Sequence, residues 1–207
     1  MTLTEQQTDG LTELINIAFG RTAVALSTLT GHRVLLEVPR VAVLPFDALA
    51  AELARFVPGE VATIRQAFAG ALSGDALLIL SHADAVALNG LLTEEAGPED
   101  YLDESAREVV TEIGNILLNA CLSMFGNLLG VRLRFSVPRL SLDPIADVVA
   151  GLARPDEDLR HAIMVSVAFK VKGSAVAGCL ALVLGVASLA QVIAEVEAWE
   201  ARAERAS

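Results

Sequence analysis

One pattern of residues occurs twice in this 207-residue chain, and the distance between the two copies is constant. Each member of the first copy recurs 99 positions later, so that Glu13, Asn16, Gly31 and Pro39 are matched by Glu112, Asn115, Gly130 and Pro138. A constant offset indicates an internal repeat, in which both copies form the same elements in the same order. The chain is therefore predicted to be a single domain made of two repeats, about residues 1–98 and 99–207.

The repeated Glu and Asn are predicted to lie on one face of a long helix in each repeat. Residues three apart on an α-helix project side by side. Each pair belongs to a stripe at helical spacing, formed by Asp9, Glu13, Asn16 and Gly20 in one copy and by Glu108, Glu112, Asn115 and Asn119 in the other. Asn is a poor helix-interior residue because its amide competes for backbone groups, so matching interior asparagines favour a function. An isolated Glu-x-x-Asn is more simply a solvated helix face, and duplication alone shows only a repeat.

The composition predicts a folded core and argues against several kinds of partner. Hydrophobic residues make up 54% of the chain, and the formal net charge is −11. Nucleic acids and anionic membrane surfaces attract clustered Lys and Arg, so neither is an expected partner. Cys121 and Cys179 lie in apolar segments and are expected to be buried thiols. His32, His82 and His161 are scattered along the chain, so no metal site is expected.

One apolar segment, residues 173–194, contains no charged residue and is long enough to span a bilayer as a helix. A buried strand followed by a helix is the preferred interpretation, because Gly185 divides the segment and a similar strand and helix follow Asp75. No signal peptide is expected, since the residues after Met1 are polar. We therefore expect no membrane insertion and a cytoplasmic location.

The predicted elements follow the same order in both halves. The first half contains a helix over about 5–29 that is open to a break near Gly20, a strand over 34–43, a short helix or loop over 46–56, a hairpin over 61–80 and a helix over 83–92. The second half contains a helix over about 103–128, a strand over 131–142, a short helix over 146–152, two strands over 161–184 and a last helix over 187–199. This order predicts an α+β fold with a pseudo-twofold internal repeat, six mostly antiparallel strands and two long motif-bearing helices. The two motif helices are expected to present separate, similar surfaces.

The doubled pattern resembles the phosphatase motif of the CheC, CheX and FliY family of bacterial chemotaxis proteins. The matching residues are Asp9, Glu13, Asn16 and Pro39, and again Glu108, Glu112, Asn115 and Pro138. The resemblance includes the segment Glu112-Ile-Gly-Asn-Ile116 and the segments Val38-Pro-Arg40 and Val137-Pro-Arg139. Two motifs in a chain of this length are similar to the CheC type, because a CheX-like chain has one working motif and a FliY-like chain continues into a further domain.

The resemblance implies hydrolysis of the aspartyl phosphate on a CheY-type response regulator. Asn16 and Asn115 are then expected to position the attacking water, and Glu13 and Glu112 to pair with a lysine of the regulator. Asp9 and Glu108 are expected to contribute to docking. The protein needs no cofactor of its own under this interpretation, since the Mg²⁺ ion belongs to the regulator. An amide suits the role because it can orient water through one donor and one acceptor without titrating.

The two copies of the motif differ, and on balance the second site is expected to be the more active. Glu108 is one methylene longer than Asp9, which is either tolerated or weakens the second site. The residues after Asn16 include the bulky Phe19 and the charged Arg21, which are expected to change the first docking surface. Pro39 and Pro138 are interpreted as structural residues that fix the strand beside each motif helix.

A second hypothesis is a non-catalytic adaptor that binds a CheD-type receptor deamidase or a component of the flagellar switch. Binding of CheD is implied by the family resemblance, and no residue of this sequence marks the surface. Internal duplication supplies within one chain the symmetry that a single-motif relative obtains by dimerising, so a monomer is expected.

Overall fold

The computed structural model describes residues 3–31, 33–36, 40–57, 59–93, 102–152, 159–171 and 174–204. Within these ranges the first half contains α1 (Glu5–Thr30), β1 (Val34–Leu36), β2 (Arg40–Pro45), α2 (Phe46–Phe56), β3 (Glu60–Gly70), β4 (Gly74–Ser81) and α3 (His82–Thr93). The second half contains α4 (Glu104–Leu129), β5 (Leu133–Phe135), β6 (Arg139–Pro144), α5 (Ile145–Ala150), β7 (Leu159–Val171), β8 (Ser174–Gly185) and α6 (Val186–Glu204). The α+β class and the order of elements predicted from the sequence are confirmed.

The number of strands differs from the prediction. The strand expected over 131–142 is divided into β5 and β6, and the described residues within 34–43 form β1 and β2, so the part of the chain that the structure describes contains eight strands rather than six. Between β5 and β6 the chain leaves the strand at Ser136 and re-enters it at Arg139. Pro138 lies in this gap and has no N–H to donate to a neighbouring strand, which accounts for the interruption.

The break near Gly20 that the sequence left open does not occur, because α1 continues through this residue. The repeated glycines Gly31 and Gly130 end α1 and α4, where both adopt left-handed backbone conformations, with φ of 68° and 75°. Glycine reaches this conformation without the steric cost that a Cβ imposes. A left-handed glycine therefore ends both motif helices at matching positions of the repeated pattern.

All the strands belong to one antiparallel sheet with the order β1-β7-β8-β4-β3-β5, in which β2 also pairs with β7 and β6 also pairs with β3. The first two strands of each half thus pair with the third strand of the other half. If the labels β1 to β4 are exchanged with β5 to β8, the same strand order results, read from the opposite edge of the sheet. Two equivalent halves would give such an order. The division into two repeats stays a prediction, and its boundary near residue 98 lies outside the described residues.

Helices cover both faces of the sheet, and alternate residues of the central strands face opposite ways. On β4, Leu78 and Leu80 belong to the larger core with α1, α3, α4 and α6, whereas Leu77 and Ile79 belong to a smaller core with α2 and α5. A central strand that is buried on both faces takes mostly apolar side chains. This explains the apolar character of β8 and supports the interpretation of residues 173–194 as a strand followed by a helix, although residue 173 lies outside the described ranges.

By length and composition alone, one helix among the described residues, α4, could cross a membrane. Half of its 18-residue apolar window is buried inside the fold. The buried half packs in the larger core, as expected of a core helix that carries one polar face.

Helices α1 and α4 contact each other through residues that are counterparts under the 99-residue offset. The Cys121 thiol donates to Thr22 Oγ1 at 3.6 Å, and the Thr22 hydroxyl donates to the backbone oxygen of Ala18 at 2.8 Å. Both Thr22 and Cys121 are buried. The two helices therefore contact each other at matching positions of the repeated pattern.

Candidate functional site

The structure places the predicted carboxylates and amides on the same stripe of each motif helix. The four acidic side chains are exposed, and the two asparagines are half-buried at the margin of the core; the set comprises Asp9, Glu13 and Asn16 on α1 and Glu108, Glu112 and Asn115 on α4. The predicted helix positions of these residues are confirmed. Each stripe therefore offers carboxylates to solvent and one amide whose orientation the fold can control.

On α4 the asparagine is held by hydrogen bonds to neighbours one turn away on either side. Asn115 Nδ2 donates to Glu112 Oε2 at 3.4 Å, and Asn119 Nδ2 donates to Asn115 Oδ1 at 2.6 Å. The spacing of three and four residues brings these side chains together on one helix face. Three residues of the predicted polar stripe, Glu112, Asn115 and Asn119, are thus joined by consecutive hydrogen bonds along the helix.

The chain of hydrogen bonds continues from α4 into the sheet. Gln66 Nε2 donates to Asn119 Oδ1 at 3.1 Å and to the backbone oxygen of Ser136 at 2.9 Å. Gln66 lies on β3 and is only 1% exposed, whereas Asn119 is half-buried. Ser136 is fixed in turn by β3, because its N–H donates to Ala67 O at 2.9 Å and its hydroxyl oxygen accepts from Ala67 N at 3.0 Å.

Sequence reasoning did not identify Gln66 or Ser136 as part of the site. The signal for Gln66 was its position in a strand of mostly apolar residues, where a buried amide needs hydrogen-bond partners. Pro138 lies two residues after Ser136 and is half-buried, next to Val137, which is 83% exposed. The predicted structural role of Pro138 remains a prediction, and Pro39, its counterpart, lies outside the described residues.

The first motif has different neighbours. Asn16 Oδ1 is buried and has no hydrogen-bond partner among the described residues. Gly20 occupies the position in α1 that Asn119 occupies in α4, and a Cβ placed on Gly20 would meet open space. The sheet differs as well: Arg40 pairs with Ser166 as Arg139 pairs with Arg65, so the register position of Gln66 is occupied by Val167.

One expectation about the first docking surface is wrong. Phe19 is only 5% exposed and packs in the larger core, so it does not lie on the surface around Asn16. Phe19 continues the buried row of Leu11 and Ile15 at a spacing of four residues, so its side chain belongs to the apolar face of α1 that packs in the core. Arg21 is exposed, as predicted.

The helices also approach the sheet differently. A Cβ on Gly114 would lie 2.7 Å from Cγ1 of Ile64 and 3.0 Å from its Cβ, closer than real carbon atoms approach. The absence of a side chain at Gly114 thus lets the backbone of α4 rest on β3 immediately before Asn115. The corresponding position in α1 is Ile15, which is buried.

No group of three or more His, Cys, Asp and Glu side chains that could hold a metal ion occurs in the part of the chain that the structure describes. Both motifs nevertheless concentrate negative charge, because the exposed Glu5, Asp9 and Glu13 project from α1 and the exposed Glu108 and Glu112 from α4. Such surfaces favour a partner with basic residues at the point of contact.

No family model matches the chain. In fold, it resembles the crystal structure of Thermotoga maritima FliY, with a TM-score of 0.73 and 22% identity over 98% of this chain and 99% of that one. It also resembles a chain of the FliM-SpeE complex from H. pylori, with a TM-score of 0.71 and 10% identity over 96% of this chain and 98% of that one. These likenesses show that the chain shares its fold with both structures.

Relatives with higher sequence identity show which family the chain belongs to. The chain is 32% identical to the CheY-P phosphatase CheC of Bacillus subtilis over 171 residues, which cover 78% of both proteins. It is 26% identical to the flagellar motor switch phosphatase FliY of the same organism over 172 residues, which are 82% of this chain and only 43% of FliY. The chain belongs to the CheC family of chemotaxis phosphatases, as the doubled Glu and Asn pattern predicted.

Proposed function

We propose that this protein hydrolyses the aspartyl phosphate of a CheY-type response regulator in chemotaxis signalling. The observation that carries the proposal is the second motif, in which Asn115 is hydrogen-bonded beside the exposed Glu112 on the surface of α4. Membership of a family that includes the CheY-P phosphatase CheC supports the same reaction. The substrate, the water-positioning residues and the docking residues described below are parts of this proposal.

The side chain of Asn115 retains the hydrogen-bonding capacity that the reaction needs. Its bonds to Glu112 and Asn119 use one of two N–H groups and one of two oxygen lone pairs. The remaining N–H and lone pair can hold one water molecule in a fixed orientation. That water attacks the phosphorus, the bond to the regulator's aspartate breaks, the carboxylate leaves, and inorganic phosphate carries away the water's oxygen and protons.

Positioning is the main contribution that a partner protein can make to this reaction, because phosphoryl transfer to water depends on alignment and charge stabilisation. The magnesium ion that neutralises the phosphate belongs to the regulator and is part of the substrate. No nucleophile of this chain is required, and Asn16 is proposed to perform the same role in the first motif.

The acidic residues of each stripe are proposed to direct docking. Glu112 and Glu13 would each pair with a lysine beside the regulator's phosphorylation site, while Glu108 and Asp9, one turn away, extend the negative surface. Opposite charges at the edge of an interface accelerate association and fix orientation more than they add affinity. The net charge of −11 makes the two stripes attractive to a partner that is basic at its active site.

The second motif is proposed to perform most of the hydrolysis. Asn115 is held by neighbours on both sides, whereas Asn16 Oδ1 has no partner among the described residues. A side chain that is already oriented loses less conformational entropy when it binds water and the transition state. We further propose that the protein acts as a monomer in the cytoplasm.

The proposal is tested by the decay of radiolabelled phosphate on purified regulators, with and without this protein. We expect the wild type to accelerate decay and the double variant Asn16→Ala with Asn115→Ala to lose this effect. Asn127→Ala is the matched control, because Asn127 is an exposed asparagine on α4 outside the stripe. Equal acceleration by the double variant, with both proteins folded, would exclude the proposed residues, and no acceleration by the wild type would exclude the activity.

An adaptor function is the second candidate, and it is favoured by the fold likeness to a chain of the FliG-FliM complex from H. pylori, with a TM-score of 0.60. The partner would be a flagellar-switch component or a CheD-type deamidase. Stable binding of such a partner, combined with an unchanged phosphate lifetime on every regulator tested, would favour the adaptor over the phosphatase.

A further inference from the structure

Three side-chain amides link the second motif to the interior of the sheet, and we refer to Asn115, Asn119 and Gln66 as the amide chain. Both ends of the amide chain contact groups that can only accept hydrogen bonds. At one end Glu112 presents a carboxylate to Asn115 Nδ2, and at the other end Ser136 presents its backbone carbonyl to Gln66 Nε2.

This arrangement dictates one orientation for every amide in the chain. Because the carbonyl of Ser136 must receive a donor, Gln66 directs its nitrogen there, and the same nitrogen donates to Asn119 Oδ1. The nitrogen of Asn119 is then directed to Asn115 Oδ1, which in turn leaves Asn115 Nδ2 facing Glu112. The Glu112 carboxylate also needs a donor from Asn115, so Glu112 and the carbonyl of Ser136 favour the same orientation of all three amides.

Burial keeps this polarity fixed at the sheet end. Gln66 is 1% exposed, and its Oε1 has no hydrogen-bond partner among the described residues. Rotating this amide by a half turn would place Oε1 against the oxygens of Asn119 and Ser136 and would remove both hydrogen bonds. The half-buried Asn119 and the exposed Ser136 would then lose the donor that Gln66 supplies, so the observed orientation is preferred.

We propose that Asn119 is a positioning residue that holds the amide of Asn115 in the orientation required for binding the attacking water. The orientation itself follows from the amide chain alone, and its value for hydrolysis rests on the proposed phosphatase function. Asn119 lies one turn beyond Asn115 and acts through it, without contact with the phosphate or the water.

The first motif provides a natural comparison within the same chain. Gly20 replaces Asn119, and Asn16 Oδ1 has no partner among the residues that the structure describes. Because a Cβ at Gly20 would meet open space, an asparagine can be introduced there without an initial clash. The pair Asn119→Ala and Gly20→Asn therefore removes the positioning residue from one site and adds it to the other.

The kinetic arm measures each site separately. In a protein carrying Asn16→Ala, we expect Asn119→Ala and Asn119→Asp to lower kcat about tenfold while KM changes little, because orientation is lost after docking is complete. Asn119→Asp keeps the size of the side chain but replaces its donor with an oxygen. In a protein carrying Asn115→Ala, we expect Gly20→Asn to raise kcat. An unchanged kcat in both Asn119 variants would overturn the positioning role.

The second arm does not depend on activity. Heteronuclear NMR relaxation of the side-chain Nδ2 groups reports how firmly each amide is held. We expect an ordered Asn115 amide and a mobile Asn16 amide in the wild type, an Asn115 amide as mobile as that of Asn16 in Asn119→Ala, and a more ordered Asn16 amide in Gly20→Asn. Equal order of Asn115 with and without Asn119 would overturn the proposal. If the wild type fails to accelerate phosphate decay, the proposed function fails while this arm still decides the orientation.

Discussion

Helices α1 and α4 carry the same Glu and Asn at the same spacing, but their asparagines have different surroundings. Asn115 is connected through Asn119 and Gln66 to the sheet, whereas Gly20 lies one turn after Asn16 and Val167 occupies on β7 the register position of Gln66. The comparison shows that both copies of the motif keep the Glu and the Asn, while the hydrogen-bonding neighbours of the Asn differ between the copies.

The comparison extends to the packing of the two helices on the sheet. Gly114 lets the backbone of α4 lie against Ile64 on β3, and Ile15 occupies the matching position of α1. A helix that rests directly on a strand can reach a polar side chain of that strand, as Asn119 reaches Gln66. We infer that the glycine before Asn115 and the amide chain belong to one structural arrangement.

The largest effect on this comparison is expected from Gly114→Ala. The added methyl group would overlap the buried, β-branched Ile64, and overpacking of this kind costs about 1–3 kcal/mol of unfolding free energy. The helical preference for Ala over Gly, about 0.5–1 kcal/mol, offsets only part of the loss. Urea denaturation of the two proteins measures the difference.

Gly20→Ala is the matched control on α1. The new Cβ meets open space, so only the helical preference remains, and this variant is expected to gain about 0.5–1 kcal/mol. Stabilisation of similar size by both substitutions would show that α4 does not rest on Ile64 and would remove this part of the comparison.

A smaller effect is expected at the contact between the two helices. Burial raises the pKa of the Cys121 thiol to about 12, while the hydrogen bond with Thr22 lowers it slightly. Above the ordinary thiol pKa of 9.0 the unfolded chain loses this proton and the folded chain retains it, so stability decreases as pH rises towards about 12. The loss from this thiol approaches about 1.4 kcal/mol for each pH unit in that window, and little of it arises below pH 8.

Cys121→Ser separates this thiol from other groups that titrate in the same range. The variant is expected to lose less unfolding free energy than the wild type between pH 9 and pH 10, by about 1 kcal/mol, as measured by urea denaturation at each pH. Identical pH dependence in the two proteins would mean that the thiol is accessible, and that the helices do not cross at Thr22 and Cys121.

The parts of the structure that depend on local sequence were predictable. Apolar periodicity gave the helices, the glycines at 31 and 130 gave their ends, and the constant offset gave the matching order of elements. The stripe containing Asn119 was also visible, because spacing along a helix fixes which side chains share a face.

The parts that depend on long-range pairing were not predictable. The pairing of β1 and β2 with β7, and of β5 and β6 with β3, depends on contacts between residues more than sixty positions apart, such as Arg40 with Ser166 and Arg139 with Arg65. The role of Gln66 has the same origin, because nothing near it in sequence indicates that Asn119 is its partner. Phe19 was misplaced because its burial depends on the rotation of α1 over the sheet.

The most direct test of the central claim compares Asn115→Ala with Asn16→Ala in the decay of radiolabelled phosphate on a CheY-type regulator. Asn115→Ala is expected to reduce the acceleration of phosphate decay about tenfold or more, whereas Asn16→Ala is expected to leave most of the acceleration. Equal losses in the two variants, or a greater loss from Asn16→Ala, would contradict the account in which the surroundings of each motif decide its activity.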